Sequence, residues 1–597
     1  MNDCRFCSIS ASPVDRRRLI SVLLIAVLAL LLSACDNPFD DSVDETPESP
    51  TAVEDGDVPE QPETEPSDPT PEAEVEERDD GWTVITGRER RDVPEERSSD
   101  QVFRMAGSSD PPTTLDPALV RDTSSAFLAR QLFRGLVRLD SSMEPSPDLA
   151  RQVEVHPDGR LYRFTLHEDI AFHDGSPITA DDIKSSLERA ADPALMGGDG
   201  DALPSRNYLD DIEGAQERMD GEREDIPGIV VIDDHTLEIS LERGVVDFLE
   251  RMSNPSTLLV DVDQAPAVAG DDWWQDPNGS GPFRLAEWDP DRQITLAAHD
   301  GYVAPPFLEE VQIRIGAEAV GQMQLYETEE IDYVHVPLSV LDRVEYEDSP
   351  IPGTLREESL LSTSFVLINA EEPPFDQQSF RQALAHSIPR DDITNVMLEG
   401  RVQTAQGVLP PEMIDHVLDP YQYEFDPERA VESLGSADVP GDFDQLTIYS
   451  SGGGIPVTMK HFIEQELDLP VEVVQLRWSD YMEDMEDGRL PVFVLSWVAD
   501  GPDPVSFLRA LFHSESPDNY GRFSDPEVDS LLDQAVVESD SEERKDLLLE
   551  AHGRILESGV VIPLYHSVDY ILVADHVQGL ETTSMGILGL ESVRIER

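Results

Sequence analysis

The 597-residue chain has few cysteines and few basic side chains. Its three cysteines are Cys4, Cys7 and Cys35, so nothing beyond position 35 can form a disulfide or a thiolate metal site. Lysine and arginine together number 43 against 124 aspartates and glutamates, which gives a formal net charge of −81. Because binding to phosphates requires clustered cations, this charge excludes a nucleic-acid partner.

Motifs of catalysis and metal binding are also missing. The sequence contains no H-E-x-x-H and no Walker loop, and its 13 histidines are scattered. Gly279-Ser280-Gly281 lacks the spacing of a nucleophile elbow, and we interpret it as a close crossing of the backbone. His173 and Asp174 adjoin a predicted turn and are interpreted as scaffold residues. The sequence therefore predicts no catalytic residue, no metal and no cofactor, with a hydrolase as the less favoured alternative.

The first 34 residues have the layout of a secretory signal: an arginine triplet at 16–18, an apolar run at 19–32 and small residues before Cys35. Leu32-Ser33-Ala34-Cys35 resembles the lipobox of bacterial lipoproteins, in which the peptidase cuts before a diacylated cysteine. This resemblance predicts that Cys35 is the lipidated N-terminus and anchors the mature protein to a membrane. An ordinary signal peptide is the alternative, and export by the general secretory or the twin-arginine route stays open.

An acidic segment follows the signal. Residues 36–80 hold 19 acidic residues, one basic residue and eight prolines, with almost no large apolar side chain. Such a composition buries too little apolar surface to offset the entropy lost on ordering. We therefore predict a disordered tether over 35–100, with folded structure beginning near Gln101.

The rest of the chain is long enough for two or three lobes, because single cores rarely exceed roughly 300 residues. Strand and helix patterns alternate along it, which predicts an α/β fold. Strands are predicted at 102–106, 162–166, 236–241, 294–298, 311–315, 364–369, 446–450, 471–475 and 492–496. Helices are predicted at 126–136, at 183–190 with Thr179 as N-cap, from about 245, and at 379–387, 427–434, 457–467 and 525–539.

Nine short motifs follow one another over about 101–575. They are Thr114-Leu115-Asp116-Pro117, Leu132-Phe133-Arg134-Gly135-Leu136-Val137, Pro147-Asp148-Leu149-Ala150, Phe172-His173-Asp174-Gly175-Ser176-Pro177, Gly279-Ser280-Gly281-Pro282-Phe283, Phe380-Arg381-Gln382-Ala383-Leu384, Phe425-Asp426-Pro427-Glu428-Arg429-Ala430, Trp497-Val498-Ala499-Asp500-Gly501-Pro502-Asp503-Pro504 and Ile562-Pro563-Leu564-Tyr565. Together they resemble the peptide/nickel family of ABC-transporter solute-binding proteins, which includes the oligopeptide and dipeptide receptors. The most specific segment runs from 157 to 182.

The resemblance implies an α/β periplasmic-binding-protein fold of type II (cluster C), with two lobes, a hinge and an extra domain. A ligand is then enclosed between the lobes when the hinge closes. Carried onto this sequence, the first lobe comprises 101–139, 257–356 and 561–597, the extra domain 140–256 and the second lobe 357–560.

The resemblance further implies a monomeric, extracytoplasmic binding protein of an ABC importer, which delivers peptides or peptide-like solutes to permease and ATPase subunits. Its predicted location is the periplasmic or cell-surface side of the cytoplasmic membrane, held by the lipid anchor. Relatives with this fold bind nickel, haem, oligosaccharides or opines, so an oligosaccharide or another solute, or a sensing role, stays an alternative. The missing metal motifs argue against a bare metal ion.

In peptide binders of the family, a Trp-x-x-Asp segment supplies the aspartate that pairs with the peptide's α-amino group. This carries over onto Asp500, with Trp497 as a neighbouring wall, and a partly desolvated carboxylate would attract an ammonium group strongly. The alternative is that Asp500 caps a turn. Gly501 stands where an aromatic residue is common in the family. The predicted strand at 492–496 contains no arginine that could receive a ligand carboxylate. The missing arginine weakens the case for a short peptide with a free carboxyl terminus.

The acidic excess extends well beyond the tether into the folded body. We hypothesise that this surface is adapted to high ionic strength, where the Debye length falls to about 3 Å at 1 M salt and self-repulsion is screened.

Overall fold

The computed structural model of the protein describes residues 73–92, 97–108, 111–198, 200, 202–266, 272–289, 292–316, 319–346, 349–414 and 421–596. Cys35, the predicted signal peptide and the predicted tether up to residue 72 lie outside the described residues. Within the described ranges, no helix has both the length and the apolar character needed to cross a membrane.

Strands and helices alternate along the described chain. The strands are β1 (Glu74–Glu77), β2 (Thr83–Thr86), β3 (Val102–Ala106), β4 (Val137–Leu139), β5 (Pro145–Pro147), β6 (Ala150–Val155), β7 (Leu161–Leu166), β8 (Ile229–Asp233), β9 (Thr236–Ser240), β10 (Phe283–Asp289), β11 (Gln293–Ala298), β12 (Glu310–Arg314), β13 (Tyr333–His335), β14 (Thr354–Ile368), β15 (Gln403–Thr404), β16 (Leu446–Ser450), β17 (Val471–Gln475), β18 (Val492–Val498), β19 (Val561–Val573), β20 (Val577–Gln578), β21 (Glu581–Thr582), β22 (Leu588–Gly589) and β23 (Arg594–Ile595).

The α-helices are α1 (Thr123–Leu132), α2 (Ala180–Ala190), α3 (Arg206–Leu209), α4 (Ala215–Met219), α5 (Phe248–Arg251), α6 (Ala319–Glu327), α7 (Leu338–Glu345), α8 (Gln378–Ser387), α9 (Arg390–Asp392), α10 (Pro427–Ser436), α11 (Ile455–Leu467), α12 (Trp478–Glu486), α13 (Pro504–Phe512), α14 (Pro526–Val537) and α15 (Ser541–Ser558). A π-helical turn, Ile393–Met397, follows α9. Together with the strands, these helices confirm the predicted α/β class.

The largest sheet is built around two long strands. Its order in the described chain is β10-β11-β12-β3-β13-β19-β14-β18-β16-β17, with β15 beside β19. β14 and β19 pair antiparallel along most of their length, with breaks in register between Ser359 and Thr363 and between Ser364 and Phe365. Residues 361–368 of β14 are buried without alternation, as expected of a strand covered on both faces. The β14–β19 pair thus joins the strands before residue 335 to those after residue 446.

A second sheet has the order β1-β2-β6-β7-β9-β8. Its first two strands correct the predicted tether, because 74–77 and 83–86 pair antiparallel with each other, and β2 also pairs antiparallel with β6. All four side chains of β1 are exposed, so this strand is held by main-chain hydrogen bonds and not by an apolar face. Arg88, just after β2, is buried against Asp148 and Tyr302. Folded structure therefore begins before Gln101.

Local sequence signals placed many elements correctly. β16 and β17 occupy the predicted residues, and Thr179 and Asp182 form a capping box at the start of α2. Two helices are shorter than predicted. α1 begins after its N-cap Asp122 and ends at Leu132, because Phe133 is extended, and the helix predicted from about 245 is the single turn α5.

Candidate ligand-binding cleft

A cleft with about 1160 Å³ of empty space, part of it open to solvent, lies where several parts of the chain meet. Its lining comes from α1 and the turn before it, and from α12, β18 and the loop at 518–520. The segment around α3 and a loop near the C-terminus complete it. Its lining includes Val120, Arg121, Phe127, Arg130, Tyr208, Trp478, Met482, Met485, Trp497, Asp500, Asp518, Tyr520, Met585 and Ile587.

Asp500 lies two residues after the end of β18, in the wall of the cleft. Its carboxyl group lies near the hydroxyl of Tyr208 and the guanidinium of Arg130. Burial raises the pKa of Asp500 to about 7, and the negative charge of Asp518 adds to this, while the Tyr208 hydroxyl and the charge of Arg130 oppose it. A carboxylate with so little solvation is stabilised by a cationic partner.

Aromatic and methionine side chains form the apolar part of the cleft. Trp497 contacts Tyr520 edge to face at 6.4 Å between ring centroids, and its indole N–H has no hydrogen-bond partner among the described residues. Trp478, Met482 and Met485 project from α12 into the same wall. The structure therefore places both predicted residues, Asp500 and Trp497, in the cleft.

The sequence motifs did not point to Arg130, although it lines the cleft. It lies on the face of α1 that also presents Thr123, Ala126 and Phe127 to the cleft, at helical spacings of three, four and seven residues. Burial lowers the pKa of Arg130 to about 10, in spite of the opposing effect of Asp500, so the guanidinium stays charged at neutral pH. Among the described residues, none forms a hydrogen bond or ion pair with it.

Tyr208 was also missed, because it belongs to the short helix α3 and lies almost 300 residues from Asp500 in sequence. No motif links these two positions, and only the folding of α3 against the end of β18 brings them together. Trp478 lines the cleft, whereas Trp273, Trp274 and Trp288 pack in the apolar cluster around β10 and β11 and do not line it.

Gly501, the unusual residue beside Asp500, has a steric explanation. A Cβ atom at this position would lie 2.0 Å from Oε1 of Glu250. That carboxyl group is buried and accepts a hydrogen bond from the main-chain N–H of Asp503 at 3.2 Å. Burial, together with the charges of Asp503 and Asp247, raises the pKa of Glu250 well above its usual range. Glu250 thus occupies the space that a side chain at residue 501 would need.

Polar contacts cross the rim of the cleft. Arg121, before α1, pairs with Asp518 at 2.5 Å between Nη1 and Oδ1, and Asn207 of α3 donates to the other carboxylate oxygen at 2.9 Å. The hydroxyl of Tyr520 donates to Asp518 at 3.1 Å. Asp518 is therefore fully satisfied by protein groups, in contrast to Asp500.

The residues interpreted as scaffold make internal contacts only. His173 accepts from the main-chain N–H of Gly279 at 3.1 Å, and Asp174 accepts from the main chain and hydroxyl of Ser176. Cβ atoms at Gly279 and Gly281 would lie 2.1 Å and 2.5 Å from main-chain oxygens at the end of α1, which confirms the close backbone crossing. In the described ranges, His, Cys, Asp and Glu side chains nowhere cluster in a way that could hold a metal ion.

Comparisons with known proteins match most of this chain. The profile of the bacterial extracellular solute-binding proteins, family 5 (middle region), matches residues 144–519. The oligopeptide-binding protein OppA of Bacillus subtilis is 24% identical over 489 residues, which span 79% of this chain and 88% of that protein.

Solved structures with the same fold differ in how closely they match. Haemophilus influenzae OppA, in complex with the peptide RPPGFSPFR, matches with a TM-score of 0.75 at 21% identity, over 84% of this chain and all of that one. The murein tripeptide-binding protein MppA in its unliganded open form reaches only 0.58 at 24% identity, over 83% of this chain and 98% of that one. These likenesses show the two-lobed, type II-like fold.

Proposed function

Because this chain belongs to the bacterial extracellular solute-binding proteins of family 5, we propose that it binds peptides in the cleft between its lobes and delivers them to the permease of an ABC importer. In this proposal the protein is a monomer on the extracytoplasmic side of the membrane, anchored through a lipid on Cys35, and ATPase subunits power transport. The relatives named above are binding proteins and not enzymes, which supports a role without chemistry.

The observation that carries the proposal is the poorly solvated carboxylate of Asp500 beside an apolar wall. Protein groups satisfy Asp518 through Arg121 and Asn207, whereas Asp500 forms no ion pair within the described chain. A peptide's α-ammonium group would supply the missing cation, and Trp497 would cover the first residue of the peptide. Charge-assisted hydrogen bonds of this kind contribute about 1.5–3 kcal/mol.

Calorimetric titration of the purified full-length chain with a mixture of tri- to pentapeptides tests this proposal. We expect saturable binding that Asp500→Asn weakens at least tenfold, about 1.4 kcal/mol. Asp444→Asn is the matched control, because Asp444 is exposed and lies outside the cleft. Binding that is equal in the native chain and in Asp500→Asn would discard Asp500 as the ammonium site and keep the receptor. A failure of any peptide to bind would overturn the proposed ligand class.

A further inference from the structure

Glu250 connects the short helix α5 to the loop between β18 and α13 that carries Asp500. We propose that Glu250 is a positioning residue, which holds this loop in the conformation that presents the carboxyl group of Asp500 to the ligand. This inference rests on the proposed function and adds to the same site a residue that does not line the cleft.

The first support is the close fit between Glu250 and the main chain at Gly501. A Cβ atom built on Gly501 would lie 2.0 Å from Oε1, 2.5 Å from Cδ and 2.6 Å from Cγ of Glu250. Three consecutive side-chain atoms therefore lie against this glycine, so any side chain at residue 501 would have to displace Glu250. Because a glycine otherwise leaves the main chain free to adopt many conformations, the contact restricts the loop directly beside Asp500.

The second support is the hydrogen bond that the main-chain N–H of Asp503 donates to Oε1 of Glu250, at 3.2 Å. Asp503 lies between Pro502 and Pro504, which have no N–H group, so it is the one main-chain donor of these three residues. The carboxylate of Asp503 accepts from the main-chain N–H of Val505 and caps α13. Glu250 therefore fixes the loop at the point where the chain enters α13.

The third support is that the arginines around Glu250 are paired with other carboxylates. Asp247 pairs with Arg251 at 2.9 Å and Asp503 pairs with Arg544 at 2.8 Å, whereas Glu250 forms no ion pair in the described chain. Burial, together with the charges of Asp503 and Asp247, raises the pKa of Glu250 and so favours its uncharged form. The contacts of its carboxyl group with the loop depend on shape and on a hydrogen bond, and a glutamine amide can make both.

The helix that carries Glu250 is tied to the elements on either side of the loop. Arg251, the next residue of α5, pairs with Asp210 after α3 at 3.3 Å, and Asp210 also pairs with Arg509 of α13 at 2.8 Å. Tyr208 of the cleft belongs to the same helix α3. Ion pairs thus join α3, α5 and α13, and Glu250 connects this assembly to the loop.

A double-mutant cycle between Glu250 and Asp500 tests this role. We would titrate the full-length chain and its variants with the same mixture of tri- to pentapeptides that tests the proposed function. Glu250→Ala should weaken binding at least fivefold in the native chain and less than twofold in Asp500→Asn, because a positioning residue acts only through the group that it positions. Glu250→Gln should bind within twofold of the native chain, since the amide keeps the shape and the hydrogen-bond acceptor.

Hydrogen exchange in the empty protein reports on the loop itself. The amide of Asp503 should exchange faster in Glu250→Ala and at an unchanged rate in Glu250→Gln, because only alanine removes its acceptor. Glu242→Ala is the matched control, since Glu242 is exposed, precedes the same helix and does not line the cleft. Thermal unfolding of each variant verifies the fold.

Three outcomes would overturn the inference while peptide binding left the proposed function standing. An equal loss of affinity from Glu250→Ala in the native chain and in Asp500→Asn would assign Glu250 to the general stability of the fold. A loss in Glu250→Gln as large as in Glu250→Ala would show that the acid itself is required. Unchanged exchange at Asp503 in Glu250→Ala would show that this contact does not hold the loop. The absence of all peptide binding to the native chain would overturn both the proposed function and this inference.

Discussion

Individual side chains in the cleft differ in how well the protein satisfies them. Asp518 has three side-chain hydrogen-bonding partners, one of them the cation Arg121, whereas Asp500 forms no ion pair among the described residues. Such incomplete satisfaction is costly to an empty protein and is recovered when a ligand binds. Asp500, Arg130 and the indole N–H of Trp497 are thus cleft groups that the described protein leaves without an ion pair or hydrogen bond, and under the proposed function they lie where a ligand binds.

Peptide affinity is expected to depend on pH through Asp500. Its pKa of about 7 means that the carboxyl group is mostly protonated at pH 5.5 and mostly ionised at pH 7.5. Since only the ionised form attracts an ammonium group strongly, affinity should rise roughly tenfold or more over this interval, before the peptide's own amino group deprotonates at about pH 8. Titrations at several pH values measure this rise, and Asp500→Asn should abolish it.

The stability of the empty protein should change in the opposite sense. The pKa of Asp500 is higher in the folded protein than the value of about 3.9 in an unfolded chain, so protonation favours the folded state. This stabilising contribution is complete below about pH 4 and is lost as pH rises through 7. A rise in affinity that persisted in Asp500→Asn would show that the pH dependence does not come from Asp500.

At the scale of elements, the N-terminal strand pair is the main departure from expectation. β1 and β2 extend the six-stranded sheet, and Arg88 beyond them is inserted between Asp148, Glu591 and Tyr302. No apolar pattern marks β1, since its glutamates are exposed and only main-chain pairing holds it. By contrast, β16 alternates buried and half-buried residues closely enough to be located from the pattern alone.

Replacing Arg88 by methionine tests whether this arm belongs to the folded body. Arg88→Met leaves two buried carboxylates short of a partner, and breaking a buried pair in this way costs about 3–5 kcal/mol. Arg78→Met is the control, because Arg78 pairs with Asp80 and Glu154 at the surface, where such pairs contribute about 1 kcal/mol or less. Urea unfolding gives both values. Equal costs for the two variants would mean that the Arg88 cluster adds nothing beyond a surface pair.

At the scale of the whole molecule, charge is the dominant feature. A formal charge of −81 on 597 residues makes the folded state repel itself, and only three of the 43 basic residues are lysines, namely Lys184, Lys460 and Lys545. Many of the arginines are already used in ion pairs between elements, such as Arg251 with Asp210 and Asp211. The remaining negative charge on the surface can therefore be screened only by ions in the solvent.

Salt should stabilise the protein for this reason. Raising NaCl from 0.1 M to 1 M shortens the Debye length from about 10 Å to about 3 Å, which removes most repulsion between surface carboxylates. Thermal unfolding should show a midpoint that rises over this range and then levels off. A midpoint that is unchanged up to molar salt would refute the hypothesis of adaptation to high ionic strength.

The sequence by itself determined the α/β class, the positions of the regular strands and helices, the family, and the location of Asp500 and Trp497 near one another. These features depend on local periodicity, capping and short motifs, which are readable along the chain. The tertiary structure alone decided that Tyr208 and Arg130 line the same cleft as Asp500, that Glu250 fills the space beside Gly501, and that the strands at 74–77 and 83–86 join a sheet. These depend on contacts between residues far apart in sequence, and the face of α1 that turns toward the cleft is fixed only when the lobes pack together.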